Sequence, residues 1–235
     1  MTPTRRFDAV VLDIEGTTAP IAFVHEVLFP YAAAHLDRFL AAHAEVPEVA
    51  AALARLARER ADEREPGAPA GDLAAYGHWL MARDRKSTAL KALQGMIWRA
   101  GYDAGDLTAE LYPDVVPTLA RWHADGVTLA SYSSGSVAAQ QLLYRHAPAR
   151  DLTSLFAAWF DTTTGPKREP ASYQRIAAAL AIAPARTAFV SDVVEELVAA
   201  RAVGMHGVLS VRPGNAPVAD PAGFPIVTAL DQLSG

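Results

Sequence analysis

Short apolar runs alternate with longer amphipathic segments along most of the chain. The apolar runs are rich in β-branched and aromatic residues and end at Gly, Ser or acidic positions, which is typical of buried strands. They predict strands at residues 7–12, 127–132, 157–160, 187–190 and 207–211. The segments between them predict helices at residues 113–125, 137–145, 170–180 and 194–203. This alternation predicts an α/β fold with a doubly wound parallel sheet.

The stretch between the first two predicted strands has a different pattern. From about residue 23 to residue 101 it shows helical periodicity rich in Ala, Leu, Arg and Glu, interrupted by prolines and glycines at residues 65–71. It contains no convincing strand. We therefore predict an α/β core of residues 1–19 and 111–235, with an inserted helical cap domain of residues 20–110.

Composition narrows the classes of function. The 235 residues are 51% hydrophobic and 20% charged, with a formal net charge of -5, which indicates a packed globular protein without the basic surface of a nucleic-acid binder. No apolar run reaches the roughly 18 residues of a membrane span. The absence of cysteine excludes disulfides, thiolate metal sites and cysteine nucleophiles. We expect a cytoplasmic protein that acts on a small molecule and binds neither nucleic acid nor membrane.

Polar residues capable of chemistry follow the predicted strands. In an open parallel sheet, the loops beyond the carboxyl ends of the strands converge on one crevice, where ligands bind. The candidates are Asp13 and Glu15 after the first strand, Ser133 and Ser134 after the second, Lys167 after the third and Asp192 after the fourth. The sequence thus predicts one site that combines acids, hydroxyls and a lysine.

This set suits phosphoryl transfer through an aspartate. Asp13 would be the nucleophile and a magnesium ligand, and Asp192 a second carboxylate ligand. Lys167 would offset the phosphoryl charge, while the Ser133 hydroxyl and the following N–H groups would hold phosphate oxygens. Glu15 returns to the same side of an extended chain as Asp13, which makes it a candidate general acid or base.

Each candidate also has an ordinary structural interpretation. An aspartate after a strand is commonly a turn or N-cap residue, a serine-rich loop commonly caps a helix, and a single lysine is usually solvated. The histidines lack the close spacing of metal ligands. Glu195 and Glu196 follow Asp192 by one helical turn, and the sequence leaves open whether either reaches the site. The shared placement after strands is what favours a common site.

With these residues in view, the chain resembles the haloacid dehalogenase superfamily, and within it the enolase-phosphatase (acireductone synthase) family. The superfamily's nucleophile motif, usually Asp-x-Asp, is Asp13-Ile14-Glu15 here, and its serine, lysine and metal-acid motifs correspond to Ser133, Lys167 and Asp192. Asp-x-Glu is the form of the enolase-phosphatase branch. Further stretches similar to that branch are residues 27–31, 84–88, 93–95, 132–136, 160–162 and 211–215.

The resemblance implies an enzyme of methionine salvage. It would enolise 2,3-diketo-5-methylthiopentyl-1-phosphate and dephosphorylate it to 1,2-dihydroxy-3-keto-5-methylthiopentene. It implies one Mg²⁺ per subunit, held by Asp13, Glu15 (through its carbonyl) and Asp192. Ser133, Ser134 and Lys167 would contact the substrate, and the protein would be a monomer. The alternatives are another phosphatase or phosphomutase of the superfamily, or a relative that binds a phosphorylated ligand or a protein partner without turnover.

Overall fold

The computed structural model describes residues 7–85 and 87–233, which form two compact units. The first unit contains the described residues up to Phe23 and from Thr108 onwards, and the second contains Val24–Leu107. Lys86, in one of the stretches similar to the enolase-phosphatases, lies outside the described residues. No helix of the described residues is long and apolar enough to cross a membrane.

The first unit is built on a six-stranded parallel sheet with the order β3-β2-β1-β4-β5-β6. The strands are β1 (Ala9–Leu12), β2 (Thr128–Tyr132), β3 (Phe156–Phe160), β4 (Thr187–Ser191), β5 (His206–Ser210) and β6 (Ile226–Val227). The predicted doubly wound parallel sheet is confirmed. The short β6 was not predicted, because a pair of apolar residues carries no periodicity.

Four helices connect the strands of this sheet. They are α5 (Val115–Ala124), α6 (Val137–Arg145), α7 (Pro170–Leu180) and α8 (Val194–Ala202). Ser136 is the N-cap of α6, and its hydroxyl accepts a hydrogen bond from the N–H of Ala139. Pro170 begins α7, where its missing N–H costs nothing. The predictions for α6 and α7 match the observed bounds, and the other two differ by one or two residues at their ends.

Register places the functional loops at one edge of the sheet. Leu12, the last residue of β1, is aligned with Ser131 of β2 and with Val190 of β4. The central strands are buried on both faces, as expected when helices cover a parallel sheet. The segments that follow β1, β2 and β4 therefore begin side by side.

The second unit is helical. A π-helix at Phe23–Leu28 begins at the last residue of the first segment of the first unit and leads into this unit. The helices of the second unit are α1 (Phe29–His43), α2 (Pro47–Asp62), α3 (Leu73–Met81) and α4 (Thr88–Ala104). Their apolar faces share a core that includes Leu36, Leu56, Leu93 and Ile97. Among its described residues there is no strand.

Candidate active site

Asp13 follows β1 directly and lies in the interior of the first unit, with 4% of its surface exposed. Its N–H donates to the carbonyl oxygen of Val190 at 3.0 Å, so the strand pairing continues to this residue. Its Oδ1 accepts a hydrogen bond from the N–H of Ile14 at 2.8 Å, and its carbonyl oxygen accepts one from Thr18 Oγ1 at 3.2 Å. The N–H of the next residue therefore helps to orient the carboxylate.

Lys167 bridges two carboxylates. Its Nζ lies 2.7 Å from Asp13 Oδ2 and 2.7 Å from Glu196 Oε2. The Tyr173 hydroxyl donates to the carbonyl oxygen of Lys167 at 2.6 Å and so ties its loop to α7. The ring of Tyr132 faces Nζ, with the centroid 5.8 Å away. The ammonium group is thus held in a set position against Asp13.

The charges of these groups depend on one another. Burial alone would lower the pKa of Lys167, but the charges of Asp13 and Glu196 outweigh burial and raise its pKa above the usual range. Burial and the charge of Asp13 raise the pKa of Glu196, although Lys167 and the Ser191 hydroxyl act to lower it. Lys167 is consequently a permanent cation at neutral pH.

Ser191, the last residue of β4, links the two carboxylates that Lys167 contacts. Its Oγ lies 3.0 Å from Asp13 Oδ2 and 3.0 Å from Glu196 Oε2. The same oxygen accepts a hydrogen bond from the N–H of Val193 at 3.2 Å. Because a hydroxyl carries one hydrogen, Ser191 donates to one carboxylate at a time. It couples their orientation to the start of the loop that carries the next acid.

Asp192 lies against the loop that follows β1. Gly16 has φ of +67°, and a Cβ added there would lie 2.7 Å from Asp192 Cγ and 3.0 Å from Asn215 Oδ1. Burial, followed by the charge of Asp13, raises the pKa of Asp192 to about 7. The two acids are therefore close enough to repel, and the absence of a side chain at Gly16 provides the space for Asp192.

The residues at this position fit a magnesium ion. Gly16 leaves the space that Asp192 occupies, and a divalent cation would offset both the burial and the repulsion from Asp13 that raise the pKa of Asp192. Among the described residues, no three His, Asp or Glu side chains gather into a metal-binding group. A cation here would thus combine two carboxylates with main-chain and water oxygens, a ligand set typical of Mg²⁺.

Residues from the end of β5 onwards hold the loop that follows β1. The carbonyl oxygen of Gly16 accepts hydrogen bonds from Asn215 Nδ2 at 2.9 Å and from Ser210 Oγ at 3.2 Å. Arg212 Nε donates to the carbonyl oxygen of Thr17 at 3.0 Å. Arg212 is itself buried and forms two hydrogen bonds of 2.8 Å with the carboxylate of Asp114. This loop is anchored by contacts with residues that are distant in the sequence.

A second loop, residues 133–136, joins β2 to α6. Ser133 is buried, its N–H donates to the carbonyl oxygen of Phe160 at 3.2 Å, and its Oγ accepts from the N–H of Gly135 at 3.1 Å. Ser134 is exposed. A hydroxyl and adjacent N–H groups before a helix N-terminus can hold phosphate oxygens.

The structure places the six candidate residues unequally. Asp13 and Lys167 are in contact, and Asp192 lies against the same loop as Asp13. Ser133 and Ser134 directly follow β2, which pairs with β1. Glu15 is half-buried and forms a backbone bridge with Ala19. The catalytic, metal-binding and substrate-binding roles of all six stay predictions.

Two residues of this network were not among the predicted site residues. Glu196 contacts Lys167, whereas its neighbour Glu195 is exposed. The spacing of four residues between Asp192 and Glu196 was a usable signal, since it corresponds to one helical turn. Ser191 precedes Asp192 and contacts both Asp13 and Glu196. Ser191 ends β4, and Glu196 lies in the first turn of α8.

Comparisons with known proteins identify the family of this chain. A family model described as haloacid dehalogenase-like hydrolase matches residues 7–204. The chain belongs to this family of hydrolases.

Curated relatives narrow the assignment. Enolase-phosphatase E1 of Sorangium cellulosum is 54% identical over 208 residues, which are 88% of this chain and 89% of the relative. Enolase-phosphatase E1 of Acidiphilium cryptum is 50% identical over 227 residues, 97% of this chain and 94% of the relative. The chain is a member of the enolase-phosphatases, and the predictions of this family and of a phosphatase are confirmed.

Solved structures share the architecture. The UTR4 protein of Saccharomyces cerevisiae has a TM-score of 0.80 at 35% identity, covering 97% of this chain and all of that one (100%). CbbY of Rhodobacter sphaeroides, solved in complex with xylulose-(1,5)bisphosphate, has a TM-score of 0.59 at 20% identity, covering 94% of this chain and 93% of CbbY. The second likeness concerns the fold alone.

Proposed function

We propose that this enzyme enolises 2,3-diketo-5-methylthiopentyl-1-phosphate and then hydrolyses its phosphate ester, giving 1,2-dihydroxy-3-keto-5-methylthiopentene for methionine salvage. The observation that carries the proposal is the contact of 2.7 Å between Lys167 Nζ and the buried Asp13 carboxylate at the end of β1. The identity of 54% to an enolase-phosphatase supports the choice of substrate.

Phosphate removal would proceed in two displacements at Asp13. The Asp13 carboxylate attacks phosphorus and the bond between phosphorus and the ester oxygen breaks. The organic product leaves as an enolate, with the bonding electron pair on its oxygen, and takes up a proton. Water then attacks the phosphoaspartate, releases phosphate and restores Asp13. Lys167 offsets the negative charge on the phosphoryl oxygens, and Ser133 and Ser134 bind them.

Enolisation requires a base for the carbon-bound proton and a cation near the carbonyl oxygen. We assign the base to Glu15, because Asp13 must stay free to attack phosphorus, and Lys167 supplies positive charge for the enolate. Glu15→Gln should then reduce the appearance of the enol in ultraviolet absorbance. An undiminished rate of enol formation in this variant would make the assignment wrong.

Asp13, Asp192 and the Glu15 carbonyl would hold one Mg²⁺ per subunit. When bound, this ion supplies Lewis-acid stabilisation of charge on phosphoryl and carbonyl oxygens. The two described units would be the predicted core and cap domains, and the enzyme would act as a monomer on its small phosphorylated diketone substrate.

The test is to incubate the purified protein with the diketone phosphate, with and without Mg²⁺, and to follow enol absorbance and phosphate release together. We expect release that depends on Mg²⁺ and is preceded by an enol signal. Asp13→Asn should abolish phosphate release while retaining the fold, measured by circular dichroism. Phosphate released from simple esters but not from the diketone would refute this substrate and favour another phosphatase of the superfamily.

A further inference from the structure

Gln140 is a buried amide behind the loop of residues 133–136, where the proposed mechanism assigns it no role. It lies in the first half of α6, and 1% of its surface is exposed. Its Nε2 donates to the carbonyl oxygen of Gly135 at 2.9 Å and to that of Phe160 at 2.7 Å. Because both neighbours of Nε2 are carbonyl oxygens, this position requires a group that donates two hydrogen bonds, as an amide nitrogen does.

The bonds of Gln140 connect the loop to the end of the neighbouring strand. Phe160 ends β3, and its carbonyl oxygen also accepts the N–H of Ser133 at 3.2 Å. The Gln140 amide therefore ties Gly135 to the residue that fixes the start of the loop. Ser133 and Gly135 are further joined by the 3.1 Å hydrogen bond between Ser133 Oγ and the Gly135 N–H.

Peptide geometry gives this contact a consequence for anion binding. In a planar trans peptide the C=O and N–H groups point in opposite directions. Since Gln140 draws the Gly135 carbonyl towards the protein interior, the N–H of Ser136 in the same peptide points the other way. A carbonyl facing the anion would repel phosphate oxygens, whereas the N–H of Ser136 facing it would attract them.

The amide is retained at an energetic cost. Gln140 Oε1 is buried and has no hydrogen-bond partner among the described residues. A buried acceptor without a partner is unfavourable, and an apolar side chain of the same shape would avoid it. The two hydrogen bonds that Nε2 donates compensate for this unpaired acceptor.

We propose that Gln140 is a positioning residue for phosphoryl binding, which keeps the loop of residues 133–136 in the anion-accepting arrangement. This inference rests on the proposed function, because it takes that loop as the phosphate-binding loop. Gln140 acts through Gly135 and Ser133 and does not touch the substrate.

The test uses Gln140→Met, which keeps the length of the side chain and removes both donors, with Gln140→Glu as a second variant of closely similar shape. Gln141→Leu is the matched control, since Gln141 is the next residue of α6 and is half-buried. Circular dichroism and thermal unfolding establish the fold. Inorganic phosphate is then titrated by calorimetry into each protein at saturating Mg²⁺, and Mg²⁺ is titrated separately without phosphate.

We expect the dissociation constant for phosphate to rise at least tenfold in a folded Gln140 variant, with Mg²⁺ binding unchanged and Gln141→Leu matching the wild type. Unchanged phosphate affinity in a folded variant, or equal loss of phosphate and Mg²⁺ affinity, would overturn the proposal. A third outcome separates the two proposals. If the variants bind phosphate more weakly but the wild-type protein leaves the diketone phosphate intact, the proposed substrate is refuted and this inference is supported.

Discussion

Replacing Gly16 with alanine tests whether the geometry around Asp192 controls metal binding. At φ of +67° any residue other than glycine is strained, by about 1–2 kcal/mol. In addition, the new Cβ would lie 2.7 Å from Asp192 Cγ, a distance that forces the carboxylate to move. The expected effects are therefore a loss of stability from strain and a separate loss of metal affinity from the displaced ligand.

Gly214→Ala separates these two effects. Gly214 has φ of +89°, but a Cβ there would meet nothing within 4 Å. Strain of about 1–2 kcal/mol should lower the midpoint of thermal unfolding by roughly 2–8 °C in each variant. Only Gly16→Ala should also weaken Mg²⁺ binding, by about 10–100-fold, the range seen when residues that orient metal ligands are changed.

The assay combines thermal unfolding of the metal-free proteins with calorimetric titration of Mg²⁺. Phosphate release at several Mg²⁺ concentrations gives an independent measure of affinity. If Gly16→Ala bound Mg²⁺ as tightly as Gly214→Ala, moving the Asp192 carboxylate would not affect the metal, and Asp192 would not be a metal ligand. The metal assignment would then have to be abandoned for this acid.

Three further predictions concern charge. Glu196→Gln should lower turnover by about 10–100-fold, because Lys167 loses one of its two anchors, while Glu195→Gln on the exposed side leaves turnover unchanged. Asp114→Asn should destabilise the protein by about 3 kcal/mol at pH 7, because it leaves Arg212 buried with a weaker partner. Urea unfolding measures this loss, and equal midpoints for the variant and the wild type would contradict it. Chelation by EDTA should abolish phosphate release, and added Mg²⁺ should restore it.

The sign of the pH dependence at Asp114 follows from its surroundings. Burial alone would raise its pKa, but hydrogen bonds from Arg212 and the N–H of Leu230, together with the Arg212 charge, lower it. A lowered pKa stabilises the folded state above the ordinary value of about 3.9 and loses that contribution as pH falls through the folded value. The gap in stability between wild type and Asp114→Asn should therefore narrow in acid, and a constant gap would refute this account.

The sequence alone determined the parallel α/β sheet, because its five longer strands show as apolar runs and each connecting helix keeps its 3.6-residue period. It also indicated Asp13, Lys167 and Asp192 as members of one site, since parallel strands deliver the residues after them to one edge. Such predictions need only the local pattern of apolar and polar residues and the order of strands and helices along the chain.

Only the tertiary structure decided how those residues are held. Glu195 and Glu196 are adjacent residues of the same type, so the sequence alone does not distinguish them. The packing of α8 against the sheet places Glu196 in contact with Lys167 and leaves Glu195 exposed. The contact of Asn215 with Gly16 and the link from Gln140 to Phe160 join positions far apart in the chain. Periodicity reports which side of an element is buried, but the partner on that side is chosen by packing between distant segments.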